Sequence, residues 1–144
     1  MWIIQKKDST AGKTEVEVTC ALIMDGEQVL VTQRSDWMPH PLKWEFPGGK
    51  LHRGETPERC IVREIREELG IHILVWELLP SVRHSYSTGI IKLIPFVCRW
   101  LGGEIQLAEH RDYRWVDLRE LDDLDWLEAD LEVVGLLKNK YLPI

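Results

Sequence analysis

Three closely spaced glutamates are the side chains in this sequence best suited to chemistry. Glu64, Glu67 and Glu68 stand at offsets of three and four residues, which places their carboxylates on one side of an α-helix. Like charges so placed repel each other by about 0.2–0.5 kcal/mol per pair. Oxygen-rich clusters of this kind are what Mg²⁺ or Mn²⁺ requires. The alternative is a solvated helix face on which Arg63 and Glu67 form an ion pair.

Residues upstream of the glutamates favour the metal site over the solvated face. Gly48 and Gly49 lie before the predicted helix and can bring a bare carbonyl oxygen to the same ion. Arg63 and Glu55 can pair and hold the intervening loop against the helix. Because these residues stand at fixed offsets from the carboxylates, the group as a whole predicts a divalent-metal site.

The segment from Gly49 to Ile71 follows one pattern throughout. It reads G-x5-E-x7-R-E-U-x-E-E-x-G-U, where U is a bulky aliphatic residue, and Ile65 and Ile71 fill the aliphatic places. The segment therefore resembles the Nudix box, and the chain is identified as a member of the Nudix hydrolase superfamily. The resemblance implies an α+β fold, an α/β/α sandwich in which a mixed sheet lies between helices and the box forms a loop-helix-loop.

The resemblance also implies a metal-ligand set. Glu64, Glu67 and Glu68 would bind Mg²⁺ (or Mn²⁺), and the Gly48 carbonyl would complete the site. Metal ions that bridge phosphate oxygens neutralise charge, polarise phosphorus and lower the pKa of a bound water. The predicted reaction is therefore hydrolysis of a phosphate anhydride.

Further catalytic roles follow from the same resemblance. Arg63 and Glu55 would mainly orient the box. A carboxylate must accept the proton of the attacking water, and Glu64 and Glu109 are the candidates. Glu109 matches an additional metal-ligand or base glutamate outside the box, with an ordinary surface-loop residue as the alternative.

Similarity to the MutT branch extends beyond the box. It lies in the runs 31–34 and 44–50, and in Glu109-His110 with Trp115-Val116 following. Relatives in this branch hydrolyse 8-oxo-dGTP, CTP or modified cytidine triphosphates. The resemblance implies a Mg²⁺-dependent nucleoside triphosphate pyrophosphohydrolase that releases a monophosphate and pyrophosphate by attack at the β phosphorus.

Three residues of the predicted substrate pocket come from this likeness. Arg34 matches a residue that contacts the nucleotide, or is a solvated arginine at a strand end. Phe46 and Tyr86 match positions around the base, where aromatic rings can stack on a nucleobase. Core packing is the alternative for Phe46.

Asp130 is the position most informative about substrate choice. It precedes the last predicted helix, where a relative selective for 8-oxoguanine carries Asn. Asn both donates and accepts hydrogen bonds, whereas an ionised Asp only accepts, so a CTP-like substrate is as credible as 8-oxo-dGTP. The alternative is that Asp130 caps the final helix.

The elements that must position these residues alternate between strands and helices. One helix is predicted from the Thr56-Pro57 start to Leu69, ending at Gly70, and a second is predicted over 131–140. Predicted strands cover 15–24, 28–33, 71–79, 90–101, 104–107 and 113–116, with a short apolar element at 44–46. This order independently favours an α+β or α/β fold with a mixed sheet.

Composition limits the class of protein and its partners. Residues 1–144 suit one soluble domain, because 44% are hydrophobic and 29% charged. A net charge of -6 argues against a nucleic-acid polymer as the partner and leaves a small-molecule nucleotide. Residues 2–4 are too short an apolar run for a signal peptide. We expect a cytoplasmic monomer or weak dimer that does not bind a membrane.

The cysteines support a reduced environment. Cys20, Cys60 and Cys98 are odd in number and widely spaced, with no C-x-x-C pair. Neither a disulfide framework nor a zinc site is indicated. We therefore expect free, partly buried thiols.

Two other functions compete with the triphosphate prediction. The first is an ADP-sugar, dinucleotide or RNA-cap hydrolase of the same family, which the short chain disfavours. The second is a non-catalytic nucleotide-binding module, which usually loses part of the box. Here every acidic position of the box is intact.

Overall fold

A long pair of parallel strands forms the centre of the sheet. The structure, a computed structural model, describes residues 14–142. Strand β1 (Glu15–Asp25) and strand β7 (Gly89–Gly102) run side by side from Glu15 opposite Ile90 to Met24 opposite Arg99. A parallel pair cannot be closed by a hairpin and needs a long crossover connection. That crossover contains the predicted Nudix box.

Six further strands extend this pair into a mixed eight-stranded sheet. They are β2 (Gln28–Gln33), β3 (Trp44–Glu45), β4 (Gly48–Lys50), β5 (His72–Leu78), β6 (Val82–Tyr86) and β8 (Asp112–Asp117). The order is β3-β2-β1-β7-β5, and β4, β6 and β8 pair with β1, β7 and β2 respectively. The pairs other than β1 with β7 are antiparallel.

Helix α1 (Pro57–Leu69) begins and ends as the sequence predicts. The Thr56 side chain accepts a hydrogen bond from the Arg59 backbone N–H, and Pro57 occupies the first helical position. Gly70 ends the helix with a φ of 69°, a left-handed conformation that glycine adopts without a steric penalty. The chain closes with helix α2 (Leu131–Tyr141), preceded by short 3-10 helices at Leu118–Asp123 and Glu128–Asp130.

The two helices cover opposite faces of the sheet. Alternate residues of β1 point to opposite faces, so Leu22 lies in the core with α2 and Ile23 in the core with α1. On α1, Ile61, Ile65 and Leu69 are fully buried. Burial of each such side chain contributes about 1.5–3 kcal/mol. The predicted α/β/α sandwich is confirmed.

The predicted strand over 104–107 is wrong. This segment is irregular, and its backbone serves the end of α1 instead of a strand ladder. Gln106 and Ala108 donate backbone hydrogen bonds to the carbonyls of Leu69 and Glu68. The last carbonyls of a helix have no partner within it, so they compete successfully for these donors.

Two strands are absent from the sequence prediction. Strand β4 consists of two glycines and a lysine, which carry no apolar alternation. In β6 only Val82 is buried, so its sequence lacks the pattern that marks a strand. Both form because a longer neighbouring strand, β1 or β7, supplies the hydrogen-bond partners.

Other sequence expectations concern the thiols and the membrane. Cys20, Cys60 and Cys98 are buried free thiols, as predicted. Between residues 14 and 142, the helices are too short or too polar to cross a membrane. Residues 2–4, the apolar run judged too short for a signal peptide, lie outside the described residues.

We expect Gly48→Ala to destabilise the protein by about 1–3 kcal/mol or more. A Cβ at Gly48 would overlap the Thr19 carbonyl oxygen and lie 2.7 Å from the Cys20 Cα, and backbone atoms cannot easily move aside. Chemical unfolding would measure the change.

Gly135→Ala is the matched control. No atom lies within 4 Å of a Cβ at Gly135, which is inside α2, so we expect a gain of about 0.5–1 kcal/mol. Equal stability of the two variants would contradict the close packing of β4 against β1.

Candidate active site

The backbone of β4 lies directly against a carboxylate of α1. A Cβ at Gly49 would overlap the carboxyl group of Glu64, so a larger residue there would force this side chain to move. On its other side, Gly49 pairs with Thr19 of β1, whose hydroxyl donates to the Gly49 carbonyl at 3.1 Å. Helix α1 is thereby joined to the sheet through a bare strip of backbone.

The ladder between β4 and β1 sets the direction of the Gly48 carbonyl. The Pro47 carbonyl accepts a backbone hydrogen bond from the Ala21 N–H, and the Leu51 N–H donates one to the Glu17 carbonyl. Because an antiparallel ladder alternates its bonding residues, the Gly48 carbonyl faces away from β1. The predicted backbone ligand is therefore directed out of the β1–β4 ladder.

Arg63 pairs with Glu55 as the spacing predicts. Its Nε and Nη2 lie 2.6 and 2.9 Å from the two carboxylate oxygens of Glu55, a bidentate pair. This hydrogen bonding lowers the pKa of Glu55 to about 2. Nη1 of the same side chain donates to Glu64 at 3.0 Å and to Glu67 at 3.2 Å. One guanidinium thus links the loop to two of the predicted ligands.

The three box glutamates share one side of α1 but differ in exposure. Glu64 and Glu68 are buried, whereas 59% of the Glu67 side chain is exposed. Burial raises the pKa of Glu68 to about 7. A cation beside this carboxylate would favour its ionised form.

The donor types fit a hard divalent cation. Carboxylate oxygens and a glycine carbonyl are ligands that Mg²⁺ accepts. In this structure Glu64 and Glu67 form hydrogen bonds with Arg63. Within residues 14–142, no group of three Asp, Glu, His or Cys side chains is close enough together to bind one metal ion. Metal binding would therefore require rotation of these side chains away from the guanidinium.

Arg34 is fully buried, so the solvated strand-end alternative is wrong. Its side chain is 1% exposed, and its Nη1 lies 2.9 Å from the Glu45 Oε1. Its Nε donates to the Pro39 carbonyl at 2.8 Å. Burial opposes ionisation of Glu45, but hydrogen bonds from His110 and Arg34 and the charges of both outweigh it and lower the pKa of Glu45.

Asp130 does not cap the last helix. Its side chain makes no capping hydrogen bond to α2, and its Oδ2 accepts from the backbone N–H of Phe46 at 2.7 Å. Asp130 is 2% exposed, and burial together with the charge of Glu45 raises its pKa well above the usual range. Burial thus favours the protonated form of this carboxyl group.

The two aromatic residues predicted near the base differ in placement. The Phe46 ring is buried against Trp126, with ring centroids 4.8 Å apart, so in this structure it belongs to the core. Tyr86 is half-buried, and its hydroxyl accepts from the Ala129 backbone N–H at 3.2 Å. Of the two rings, Tyr86 is the one with an exposed surface.

Glu109 lies on the irregular segment that follows β7. Its side chain is exposed, and its backbone carbonyl accepts a hydrogen bond from the Ser35 hydroxyl. The nearby bond from Ala108 to the Glu68 carbonyl, at 3.1 Å, places this segment beside the last turn of α1. Glu109 is therefore carried to the same end of the helix as Glu68.

His110 is a residue that the sequence analysis missed. With no zinc-ligand spacing to the other histidines, His110 is expected to be an ordinary surface or loop residue, but its side chain is 0% exposed. Its Nε2 lies 2.8 Å from the Glu45 Oε2. Its position beside Glu109, within the run that resembles the MutT branch, is the signal that could have indicated a buried role.

The predicted residues fall into two adjacent groups. The first surrounds the box: Gly48, Glu55, Arg63, Glu64, Glu67 and Glu68, with Glu109 nearby. The second, buried group contains Arg34, Glu45, His110 and Asp130. Only two residues separate β3, which carries Glu45, from β4, which carries Gly48. The fold therefore brings a metal-type oxygen cluster next to a cluster of buried polar side chains.

Comparison with known proteins gives concordant matches. A family model described as NUDIX domain matches residues 13–135. Over 113 residues the chain is 34% identical to the 8-oxo-dGTP diphosphatase of Haemophilus influenzae, covering 78% of this chain and 83% of that protein. It is 32% identical over 119 residues to the CTP pyrophosphohydrolase of Escherichia coli, covering 83% and 88% respectively.

A solved structure agrees with these sequence matches. The solution NMR structure of MutT, a Nudix-family DNA mismatch repair protein from methicillin-resistant Staphylococcus aureus, superposes with a TM-score of 0.72. Its sequence is 35% identical, and the match covers 89% of this chain and 98% of that one.

We expect Asp130→Asn to be more stable than the wild type at about pH 8, with a smaller difference at about pH 4. The raised pKa means that folded Asp130 keeps a proton that the unfolded chain releases above about pH 3.9. Asp130 therefore contributes fully to the free energy of unfolding at a pH below its pKa in the unfolded chain. This contribution declines as the pH rises from that pKa towards the raised pKa of the folded protein. Urea unfolding of both proteins at several pH values would measure this.

Asp36→Asn, at an exposed position, is the control for the loss of one carboxyl group. The same dependence of stability on pH in the wild type and Asp130→Asn would contradict a raised pKa.

Proposed function

This chain belongs to the NUDIX family, as a hydrolase of its MutT-like branch, and from that membership we propose that it is a Mg²⁺-dependent nucleoside triphosphate pyrophosphohydrolase. Its products would be a nucleoside monophosphate and pyrophosphate. CTP-like nucleotides and oxidised nucleotides such as 8-oxo-dGTP are the proposed substrates, because the similar proteins carry the corresponding names.

The observation that carries this proposal is the contact between Gly49 and Glu64. It brings an α1 carboxylate and the outward-facing Gly48 carbonyl to the same edge of β4. The buried pocket containing Asp130 begins immediately before that edge, because Asp130 binds the Phe46 backbone. A triphosphate bound at the edge would therefore have its base directed towards Asp130.

The metal would be held by Glu64, Glu67, Glu68 and the Gly48 carbonyl, with Glu109 as a further ligand. When bound, Mg²⁺ supplies charge neutralisation at the phosphates and activation of water. The exposed Glu67 can turn from Arg63 towards an ion without disturbing the core.

Proton acceptance is assigned to one of two carboxylates. Glu64 is buried at the contact with β4, and Glu109 is exposed on the segment beside the last turn of α1. Arg63 would keep its bidentate pair with Glu55 when Glu64 and Glu67 turn towards the ion, and so hold the loop of the box against α1.

The buried pocket would recognise the base. Asp130 would offer its carboxyl group to the exocyclic amine of a cytosine or to the N–H edge of a guanine, because its hydrogen bond with the Phe46 backbone N–H occupies only one of its two oxygens. Arg34 would fix the pocket through Glu45. Tyr86 offers a half-exposed ring for stacking, which is worth about 1–3 kcal/mol per base in single-strand binders.

We also propose a domain organisation, a cellular location and an oligomeric state. We take residues 1–144 as one domain, supported by two cores that lie on the two faces of one sheet. The protein would act on a small nucleotide in the cytoplasm as a monomer or weak dimer.

The proposal is tested by pyrophosphate release with Mg²⁺ over a nucleotide panel. The panel contains CTP, dCTP, 5-methyl-dCTP, dGTP, 8-oxo-dGTP and ADP-ribose. We expect pyrophosphate and a monophosphate from the cytidine nucleotides or from 8-oxo-dGTP, and chelation of the metal should stop the reaction. Nucleotide plus sugar phosphate as the main products would contradict the triphosphate assignment. Nucleotide binding without turnover would instead indicate a non-catalytic module.

We expect Glu67→Gln to lower kcat by about 100-fold or more, because a metal ligand supplies several kcal/mol of transition-state stabilisation. Glu67 is largely exposed, so loss of its charge should leave the fold intact. Steady-state kinetics and thermal unfolding would be measured together.

Glu58→Gln is the matched control, since Glu58 is exposed on the same helix outside the glutamate cluster. Wild-type kcat in Glu67→Gln, or an equal loss in Glu58→Gln, would overturn the assignment of Glu67 as a ligand.

A further inference from the structure

Four buried ionisable side chains connect the proposed base pocket with the Nudix box. In order they are Arg34, Glu45, His110 and Glu68, each at most 5% exposed. Arg34 bonds to Glu45, Glu45 contacts His110, and His110 lies next to Glu68. Charged groups this deeply buried are rarely retained unless other polar groups surround and orient them.

His110 is the member that faces both halves of the site. Its Nε2 donates to the Glu45 Oε2 at 2.8 Å, because a carboxylate can only accept. Its Nδ1 lies 3.4 Å from the Glu68 Oε2. Within residues 14–142 that buried Nδ1 makes no hydrogen bond, and its contact with the Glu68 carboxylate is at ion-pair distance.

Backbone contacts fix the imidazole independently of its own hydrogen bond. On one side of His110, the Ala108 N–H donates to the Glu68 carbonyl at 3.1 Å. On the other side, the Arg111 N–H donates to the Gln33 carbonyl at 2.9 Å, next to Arg34 in the chain. The backbone around His110 is thus anchored to the last turn of α1, which carries Glu68, and to the end of β2, which pairs with the strand that carries Glu45.

We propose that His110 is a positioning residue that orients the Glu68 carboxylate for divalent-metal binding and ties it to Glu45 in the base pocket. This inference rests on the proposed function, in which Glu68 is a metal ligand. His110 itself touches neither the metal nor the nucleotide.

The physical reason lies in the freedom of a glutamate side chain. Glu68 has three rotatable bonds, and a ligand that samples several rotamers binds a cation less tightly than one held in place. Polar groups behind a metal ligand typically change metal affinity by about 10- to 100-fold. Removal of the ring should therefore weaken metal binding while the fold persists.

The test measures Mn²⁺ affinity by electron paramagnetic resonance of the free ion, without nucleotide. His110→Phe keeps an aromatic ring but removes both ring nitrogens, and His110→Gln keeps one polar group that cannot span both carboxylates. We expect about 10- to 100-fold weaker Mn²⁺ binding in His110→Phe and a smaller loss in His110→Gln. All binding is measured well below the thermal unfolding midpoint of each variant.

His72→Gln is the control, because His72 is exposed at the start of β5. Unchanged Mn²⁺ affinity in folded His110→Gln and His110→Phe would overturn the positioning role, even if both variants were less stable. If His110→Phe does not fold, His110→Gln alone decides the outcome.

The wild-type protein separates this inference from the proposed function. If it binds Mn²⁺ but releases no pyrophosphate from any triphosphate, the proposed function fails while a weaker site in the His110 variants still supports positioning. If it hydrolyses triphosphates and the variants bind Mn²⁺ as it does, only the role of His110 fails. If it binds no Mn²⁺, both fail.

Discussion

The close approach of the Gly48–Gly49 backbone to its neighbours is the constraint on which the site depends. A side chain at Gly48 would collide with β1, and one at Gly49 would collide with the Glu64 carboxyl group. Because neither position carries a Cβ, β4 can pair with β1 and still receive α1 on its other side. Backbone atoms, which have little freedom to move, therefore fix the spacing of β4 and β1, and the absence of a Cβ at Gly49 leaves room for the Glu64 carboxyl group on the other side.

Buried charge is the second feature that organises this region. Arg34 and Glu45 form an ion pair with almost no exposed surface, and Asp130 lies close enough for the charge of Glu45 to raise its pKa. Such pairs add little net stability because desolvation offsets their attraction, but loss of one partner typically costs about 3–5 kcal/mol. The arrangement is better understood as a means of holding polar atoms in fixed directions than as a source of stability.

The irregular segment after β7 joins these two features. Its backbone donors satisfy the last carbonyls of α1 at Leu69 and Glu68, so it follows the helix end instead of forming a strand. It then carries Glu109 to the exposed side and His110 into the interior. Neighbouring residues in one short segment can thus serve the two halves of the site because their side chains leave the backbone in different directions.

The sequence alone determined the family, the α/β/α sandwich, and α1 with its cap at Thr56 and its end at Gly70. These features depend on local spacing, hydrophobic periodicity and the conformational preferences of single residues. The candidate box residues and the Arg63–Glu55 pair were predicted for the same reason. Only the tertiary structure decided that β4 and β6 are strands, that Arg34 and His110 are buried, and that Asp130 binds the Phe46 backbone instead of capping α2. Each of these depends on a partner distant in the chain, and neither burial nor the hydrogen-bond partner of a polar side chain is encoded in its immediate neighbours.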